Sequence, residues 1–145
     1  MTSKKLSRII EWKGVVKEQM SLEMRQTRER LQVEMNKLDG MKVKLAENIE
    51  TMDEIYSRGT LDTGRLELLS NYVIYLDKRI KEQEKKISDI LAEVELKQSA
   101  LRDAYREERV FEILRDRIAG EELREKQSLE QKELDFNTIT RKADK

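Results

Sequence analysis

The stretch SRGTLDTG, residues 57–64, decides the fold of this 145-residue chain. It gathers two Gly, two Thr and one Asp into eight positions, and the rest of the sequence contains no comparable group of turn-forming residues. Gly59 suits the left-handed residue that follows the end of a helix. Thr60, Asp62 and Thr63 are each of a type that caps the start of a helix. The stretch therefore predicts one turn between two helices.

Composition favours helix on both sides of this turn. Charged residues make up 41% of the chain and hydrophobic residues 37%, and Pro is absent. The residues that dominate, Glu, Lys, Arg, Leu, Gln, Met and Ile, are nearly all good helix formers. A chain with so much charge has too little apolar surface for a thick core of several layers. We therefore expect an all-α protein.

A coiled-coil seam is predicted upstream of the turn, where apolar residues recur at alternating steps of four and three. Eight of its ten positions are apolar or aromatic. The predicted positions are Met24, Arg28, Leu31, Met35, Leu38, Lys42, Leu45, Ile49, Met52 and Tyr56. Before this seam, Trp12, Val16 and Met20 follow wider steps, which predicts an interrupted heptad with Trp12 as a packing residue.

A second seam follows the turn, and eleven of its fifteen positions are apolar. The positions are Leu69, Val73, Leu76, Ile80, Gln83, Ile87, Ile90, Val94, Lys97, Leu101, Ala104, Glu108, Phe111, Arg115 and Ile118. Neither helix can bury its own stripe, and a short connection makes neighbouring helices antiparallel. We expect one domain over residues 1–145, a single long antiparallel two-helix coiled-coil hairpin. Its predicted parts are helix one at about 3–57, a turn at 58–63 and helix two at about 64–140.

Helix two is expected to overhang helix one. A reversal near residue 61 places residue 6 opposite residue 116, which leaves about 25 residues of helix two, or roughly 40 Å, without a partner. The apolar residues of this segment are sparse, namely Leu123, Leu129, Leu134, Phe136 and Ile139. A long unpaired helix is marginal in water. The segment is therefore either an ordinary frayed terminus or an arm that another molecule completes.

Charge and residue types exclude several classes of function. The 30 basic and 30 acidic side chains cancel, which disfavours a bulk nucleic-acid or lipid binder, although residues 1–30 carry eight basic and four acidic side chains. The absence of Cys and His removes thiolate metal sites and the commonest catalytic bases. No apolar run approaches the ~20 residues that span a bilayer. We expect a soluble cytoplasmic protein with no enzymatic activity, no cofactor and no metal.

The hairpin end carries a candidate contact surface. With helix two's seam on one face, Tyr72, Ile74 and Tyr75 point away from it. Aromatic residues are enriched where proteins bind proteins, and contiguous exposed apolar surface marks contact sites. The alternative is that the turn folds back and covers these residues with Leu66 or Tyr56.

The runs REERVFEILRDR, residues 106–117, and EQKELD, residues 130–135, resemble the C-terminal signature of the flagellar export protein FliJ family. The run KKLSRIIEWKGVVKEQ, residues 4–19, the Gly-containing break and the total length are also similar. This resemblance implies a coil like the central stalk of a rotary ATPase. Its terminal end would enter the pore of the hexameric flagellar export ATPase, and its hairpin end would face the cytoplasmic ring of the export gate. Export chaperones are further implied partners.

These implications give two candidate sites. The predicted ATPase-binding residues are Arg8, Lys13, Glu130, Gln131, Lys132, Leu134 and Phe136. The predicted gate-binding residues are Tyr72, Tyr75 and Leu76. Arg8 and Lys13 would steer the chain toward an acidic pore rim. No nucleic-acid partner is expected, and the protein would reach the membrane at the flagellar base only through its partners.

Two other hypotheses remain open from the sequence. The first is a coiled-coil scaffold or chaperone-like protein, such as the stalk of a non-flagellar type III secretion ATPase, with contacts on its faces instead of its ends. The second and weaker one is an RNA-binding helical arm. A salt titration against RNA separates it from the others, because binding through phosphates falls steeply with salt.

Overall fold

Two α-helices make up the protein in the computed structural model, which describes residues 2–59 and 62–143. Helix α1 covers Ser3–Ser57 and helix α2 covers Thr63–Ala143. The helices pack against each other, and the described residues contain no strand. The expected all-α helical hairpin is therefore confirmed.

The chain forms two compact units, and each pairs a segment of α1 with a segment of α2. The terminal unit combines the first 20 residues with those from Ala100 onward, and the hairpin unit is Ser21–Ser99. In the terminal unit Ser3 bonds to Glu122 and Lys13 to Glu107, so the segments are antiparallel. The hairpin unit is also antiparallel, because its contacts step from Lys97 back to Gln83 as α1 advances from Thr27 to Glu34.

Residues on both sides of the turn have the predicted local chemistry. Gly59 has a φ of 68° and donates its N–H to the carbonyl of Tyr56 at 3.2 Å. Asp62 caps α2, because its Oδ1 accepts the N–H of Arg65 at 3.2 Å. Both predictions are confirmed, whereas the candidate cap Thr60 lies outside the described residues.

The seam of α2 follows the predicted heptad. All fifteen predicted positions are buried or half-buried. Leu76, Ile80, Ile87 and Ile90 are among the most buried side chains of the protein. The apolar period of this helix was therefore sufficient to identify its packing face.

The predicted seam of α1 was wrong at every second position. The structure buries or half-buries the residue one place earlier in each case, namely Thr27, Glu34, Met41, Asn48 and Ile55. The predicted residues Arg28, Met35, Lys42, Ile49 and Tyr56 are exposed. Both series keep the alternating steps of four and three, so apolar content favoured the wrong one. Thr27 and Glu34 occupy the seam because α2 supplies hydrogen-bond donors to both.

The heptad of α1 also continues through the terminal unit, which contradicts the predicted interruption. Leu6 is fully buried, and Ile10, Lys13 and Lys17 follow it at the same alternating steps. Trp12 is 64% exposed, so its prediction as a packing residue was wrong. The two Lys residues tolerate seam positions because their ammonium groups lie over aromatic rings and pair with carboxylates of α2.

The predicted overhang of helix two is confirmed. Ser3, the first residue of α1, contacts Glu122, and α2 then continues to Ala143. Every residue from Leu123 to Ala143 is exposed. We call this segment, residues 123–143, the arm; its length is about 30 Å at 1.5 Å per residue.

Candidate protein-binding surfaces

The start of α1 is fastened to α2 where the arm begins. Glu122 accepts the Ser3 N–H at 3.0 Å and the Ser3 hydroxyl at 2.7 Å, and these hydrogen bonds lower the pKa of Glu122. Thr2 caps α1 by accepting the Lys5 N–H at 3.3 Å. A carboxylate beside a helix N-terminus is also favoured by the helix dipole. The pairing of the two helices therefore has a defined end.

The arm continues the heptad of α2 beyond this end. The same alternating steps that lead to Ile118 reach Glu122, Glu125, Leu129, Lys132, Phe136 and Ile139. Leu129, Phe136 and Ile139 are 62%, 68% and 66% exposed. Leu129 and Phe136 line one shallow depression together with Lys132. The arm therefore presents a seam that lacks a second helix among the described residues.

The predicted ATPase-binding residues of the arm do not share one face. Lys132 and Phe136 lie on the continued seam, whereas Glu130 and Leu134 fall roughly on the opposite side at 100° per residue. Gln131 lies between these faces, and its amide donates to Asp135 at 3.1 Å. All five predicted residues are exposed.

The two predicted basic residues of α1 differ in their surroundings. Arg8 is exposed. Lys13 is half-buried, and its Nζ lies 2.5 Å from Glu107 Oε1 and 4.9 Å from the centre of the Phe111 ring. The charge of Lys13 is therefore paired within the terminal unit.

Lys17 repeats this arrangement one turn further along α1. Its Nζ lies 2.6 Å from Glu108 Oε2 and 4.4 Å from the centre of the Tyr105 ring. The contact with the Glu108 carboxylate raises the pKa of Lys17, so the ammonium stays charged in the seam. Lys13 and Lys17 therefore lie in the seam, and Trp12 and Val16 lie on the helix face beside it.

The face that carries Trp12 and Val16 contains a groove that the sequence analysis did not predict. The Trp12 groove has a volume of about 370 Å³ and is lined by Trp12, Lys13, Val16, Met20, Ala100, Asp103, Ala104 and Glu107. The signal was present in the sequence. Stepping back from Met24 by four and three reaches Lys17 and Lys13, which leaves Trp12 and Val16 outside the seam.

In the hairpin unit, Glu34 is a buried carboxylate with three donors. It accepts hydrogen bonds from Gln83 at 2.6 Å, from Lys86 at 3.2 Å and from Lys37 at 3.3 Å. The same amide group of Gln83 donates to the Glu34 carbonyl at 2.9 Å. The Gln83 hydrogen bond is the main reason that the pKa of Glu34 falls to about 2. Glu34 is therefore ionised in the seam.

A second polar layer lies two turns away. Thr27 is buried, donates to the Glu23 carbonyl at 2.9 Å and accepts from Lys97 Nζ at 2.8 Å. Lys97 also pairs with Glu93 at 3.1 Å, and Arg30 bonds to the same carboxylate. The hydrogen bond from Lys97 lowers the pKa of Glu93. These two layers specify the register of the hairpin unit, because a slip leaves buried polar groups unpaired.

The hairpin end presents a pair of stacked Tyr side chains. The rings of Tyr72 and Tyr75 lie 6.1 Å apart with an interplanar angle of 23°, and the side chains are 39% and 54% exposed. Tyr56 is itself 72% exposed, so it does not cover them. Leu76 is buried in the seam beneath. A shallow cleft is lined by Tyr72, Tyr75, Leu76, Met41, Lys44 and Arg79.

Neither a metal-binding cluster nor a membrane-spanning segment is present among the described residues. Across residues 2–59 and 62–143, no group of three or more His, Cys, Asp or Glu side chains is arranged to hold a metal ion. In the same ranges, neither helix has a segment long and apolar enough to cross a membrane.

Comparison with known protein families matches residues 2–138 to the family described as Flagellar FliJ protein. No curated protein and no solved structure gives a significant match. The matched range contains both ends of the hairpin and most of the arm.

Proposed function

Because the chain belongs to the Flagellar FliJ protein family, whose members are non-catalytic components of the flagellar export apparatus, we propose that it is the stalk of the hexameric export ATPase. In this proposal the arm enters the pore of the hexamer and stimulates ATP hydrolysis. The hairpin end contacts the cytoplasmic ring of the export gate. The chain itself has no enzymatic activity.

The observation that carries this proposal is the unpaired seam of the arm. Leu129 and Phe136 keep the heptad of the paired region but are exposed on an isolated helix. Burying one such side chain contributes roughly 1.5–3 kcal/mol, and a few buried anchors dominate a small interface. A ring that encloses the arm would supply this burial, whereas free solvent does not.

The stacked Tyr pair supports the second contact of the proposal. Tyr72 and Tyr75 are rigid aromatic side chains held on a helix above the buried Leu76. Tyr is enriched in interface cores because it combines a large apolar area with a hydroxyl group. The gate ring would therefore bind at this end, remote in sequence from the arm.

The remaining parts of the proposal concern partners and place. Export chaperones are further partners of the stalk. The protein acts in the cytoplasm at the flagellar base, where it is peripheral to the membrane through the ATPase and the gate. It binds no nucleic acid, in keeping with its balanced charge.

The proposal is tested by removing the arm. Deletion of residues 124–145 keeps the contact between Ser3 and Glu122, so we expect the melting temperature of the paired hairpin to change little. ATP hydrolysis by the purified hexamer should lose its stimulation by the chain. A matched control, Tyr72→Ala with Tyr75→Ala in the full-length chain, should stimulate as the unaltered protein does. Full stimulation by the deleted chain would refute the stalk assignment.

A further inference from the structure

The Trp12 groove belongs to the terminal unit, and its lining includes neither arm residues nor the Tyr pair. Trp12 is the only Trp of the chain and is 64% exposed, with Val15 at 65% and Val16 at 38% beside it. Trp is the residue type most enriched among the side chains that dominate binding energies. A contiguous apolar patch around an exposed Trp is typical of a protein contact site.

The groove is open because of the residues beneath it. Helix α2 contributes Ala100 and Ala104, whose small side chains leave space between the helices. Lys13 also lines the groove from α1, where its Nζ lies 5.9 Å from the centre of the Trp12 ring and bonds to Glu107. Trp12 and Val16 then form an apolar wall one helical turn long, opposite the two Ala residues.

The apolar surface continues along α2 from the groove. After Asp103 and Glu107, steps of three and four reach Val110 and Leu114, which therefore share one face of the helix. Val110 is 62% exposed and Leu114 38% exposed. From Ala100 to Leu114 this face extends for about 21 Å. This surface, apolar except for the two carboxylates, is long enough for a third helix that lies along both helices.

The charges along the α2 edge decide the chemistry of that helix. Asp103 has a 72% exposed side chain, and its ion pair with Arg106 spans 4.0 Å. Glu107 is 56% exposed even though it bonds to Lys13. An occupant with basic side chains on this edge gains favourable contacts, whereas an acidic one is repelled.

We propose that the Trp12 groove docks one amphipathic α-helix of another protein, with its apolar face on Trp12 and Val16 and Lys or Arg side chains toward Asp103 and Glu107. The docked helix forms a three-helix arrangement with the terminal unit. Its apolar residues are spaced by three and four, as in other helices that bind grooves.

The single Trp makes this docking directly measurable in the full-length chain. The probe is a Trp-free helical peptide of about 18 residues with Leu at alternating steps of three and four and Lys elsewhere, so that it spans roughly 27 Å. Two matched control peptides are used. One carries Glu in place of Lys, and the other has the residues of the Lys peptide in scrambled order. At physiological salt, we expect the Lys peptide to shift Trp12 emission to the blue with saturation. The Glu peptide should bind about tenfold more weakly or less, and the scrambled peptide should give no shift.

Two charge-reversal variants locate the binding edge. Asp103→Lys should lower the affinity for the Lys peptide by about tenfold. Asp116→Lys makes the same change at an exposed residue that helical geometry places away from the groove, and should leave binding within about twofold. Both variants should keep the helix content of the unaltered chain.

Several results would overturn the proposal. The first is the absence of a saturable shift with the Lys peptide. The second is binding of the Glu or scrambled peptide as tight as that of the Lys peptide. The third is an equal loss of affinity in the two charge-reversal variants. A blue shift that appears with rising protein concentration in the absence of peptide would identify a second copy of the chain as the occupant, which also contradicts it.

Discussion

Glu34 is the clearest case of a side chain whose properties come from its partners across the hairpin unit. Its hydrogen bonds to Gln83 and Lys86 lower its pKa from 4.5 to about 2. A lowered pKa means that the folded protein favours the ionised carboxylate. These interactions therefore stabilise the fold fully above pH 4.5, and their contribution is lost as the pH falls through about 2.

Replacing Glu34 with Gln should reveal this dependence. At pH 7 the Glu34→Gln variant should melt below the unaltered protein, because it lacks the ionised acceptor. The difference should shrink as the pH falls from 4.5 toward 2, since Glu34 is protonated there in the unfolded chain while the folded protein keeps it ionised. Circular dichroism melts at pH 7, 4 and 3 measure it, with the exposed Glu50→Gln as control. A difference that is constant across these pH values would contradict the assigned role.

The same residue shows why the seam of α1 was only half predictable. Glu34 and Met35 both fit the alternating steps, and apolarity favoured Met35. The choice is made by donors that lie about 50 residues away in sequence, chiefly Gln83. Periodicity reports the helix and its approximate face, but it does not report which polar groups find partners across the hairpin.

At the scale of elements, the turn depends on the backbone of Gly59. Its φ of 68° lies in the left-handed region, which costs an L-residue roughly 1–2 kcal/mol. A Cβ at this position meets nothing within 4 Å, so the backbone alone sets the cost of a substitution. Gly59→Ala should therefore lower the free energy of unfolding by about 1 kcal/mol in urea titrations.

Gly40 provides a matched control of opposite sign. It lies inside α1, where a Cβ also meets nothing within 4 Å. Gly40→Ala should raise the free energy of unfolding by roughly 0.5–1 kcal/mol, because Ala loses less backbone entropy in a helix. Equal effects of the two substitutions would show that the left-handed conformation of Gly59 does not matter to stability.

The helices as elements were largely predicted, whereas the Trp12 groove was missed. The absence of Pro and the cluster around Gly59 indicated two long helices and one reversal, and the seam of α2 gave its buried face. Trp12 was misplaced because a large apolar residue was expected in the seam. Lys13 and Lys17 take those positions instead, since Glu107 and Glu108 of α2 neutralise them.

At the scale of the whole molecule, the proposal assigns different partners to different parts of the chain. Tyr72→Ala with Tyr75→Ala removes the exposed aromatic pair and leaves the buried Leu76 in place. Affinity for the isolated cytoplasmic ring of the gate should fall by at least about tenfold, as for the loss of central aromatic anchors. Helix content should not change. Unaltered affinity, measured by calorimetry, would remove the gate contact from this surface.

The central claim is that the unpaired seam of the arm is the segment that the ATPase encloses. Amide hydrogen exchange of the full-length chain, with and without the purified hexamer, tests it most directly. In the free chain the arm should exchange rapidly, because few tertiary contacts protect it. With saturating hexamer, residues 123–143 should exchange at least about tenfold more slowly, while Leu76–Ile90 keeps its free-state protection. Arm amides that exchange equally in the two states, with hexamer bound, would contradict the account.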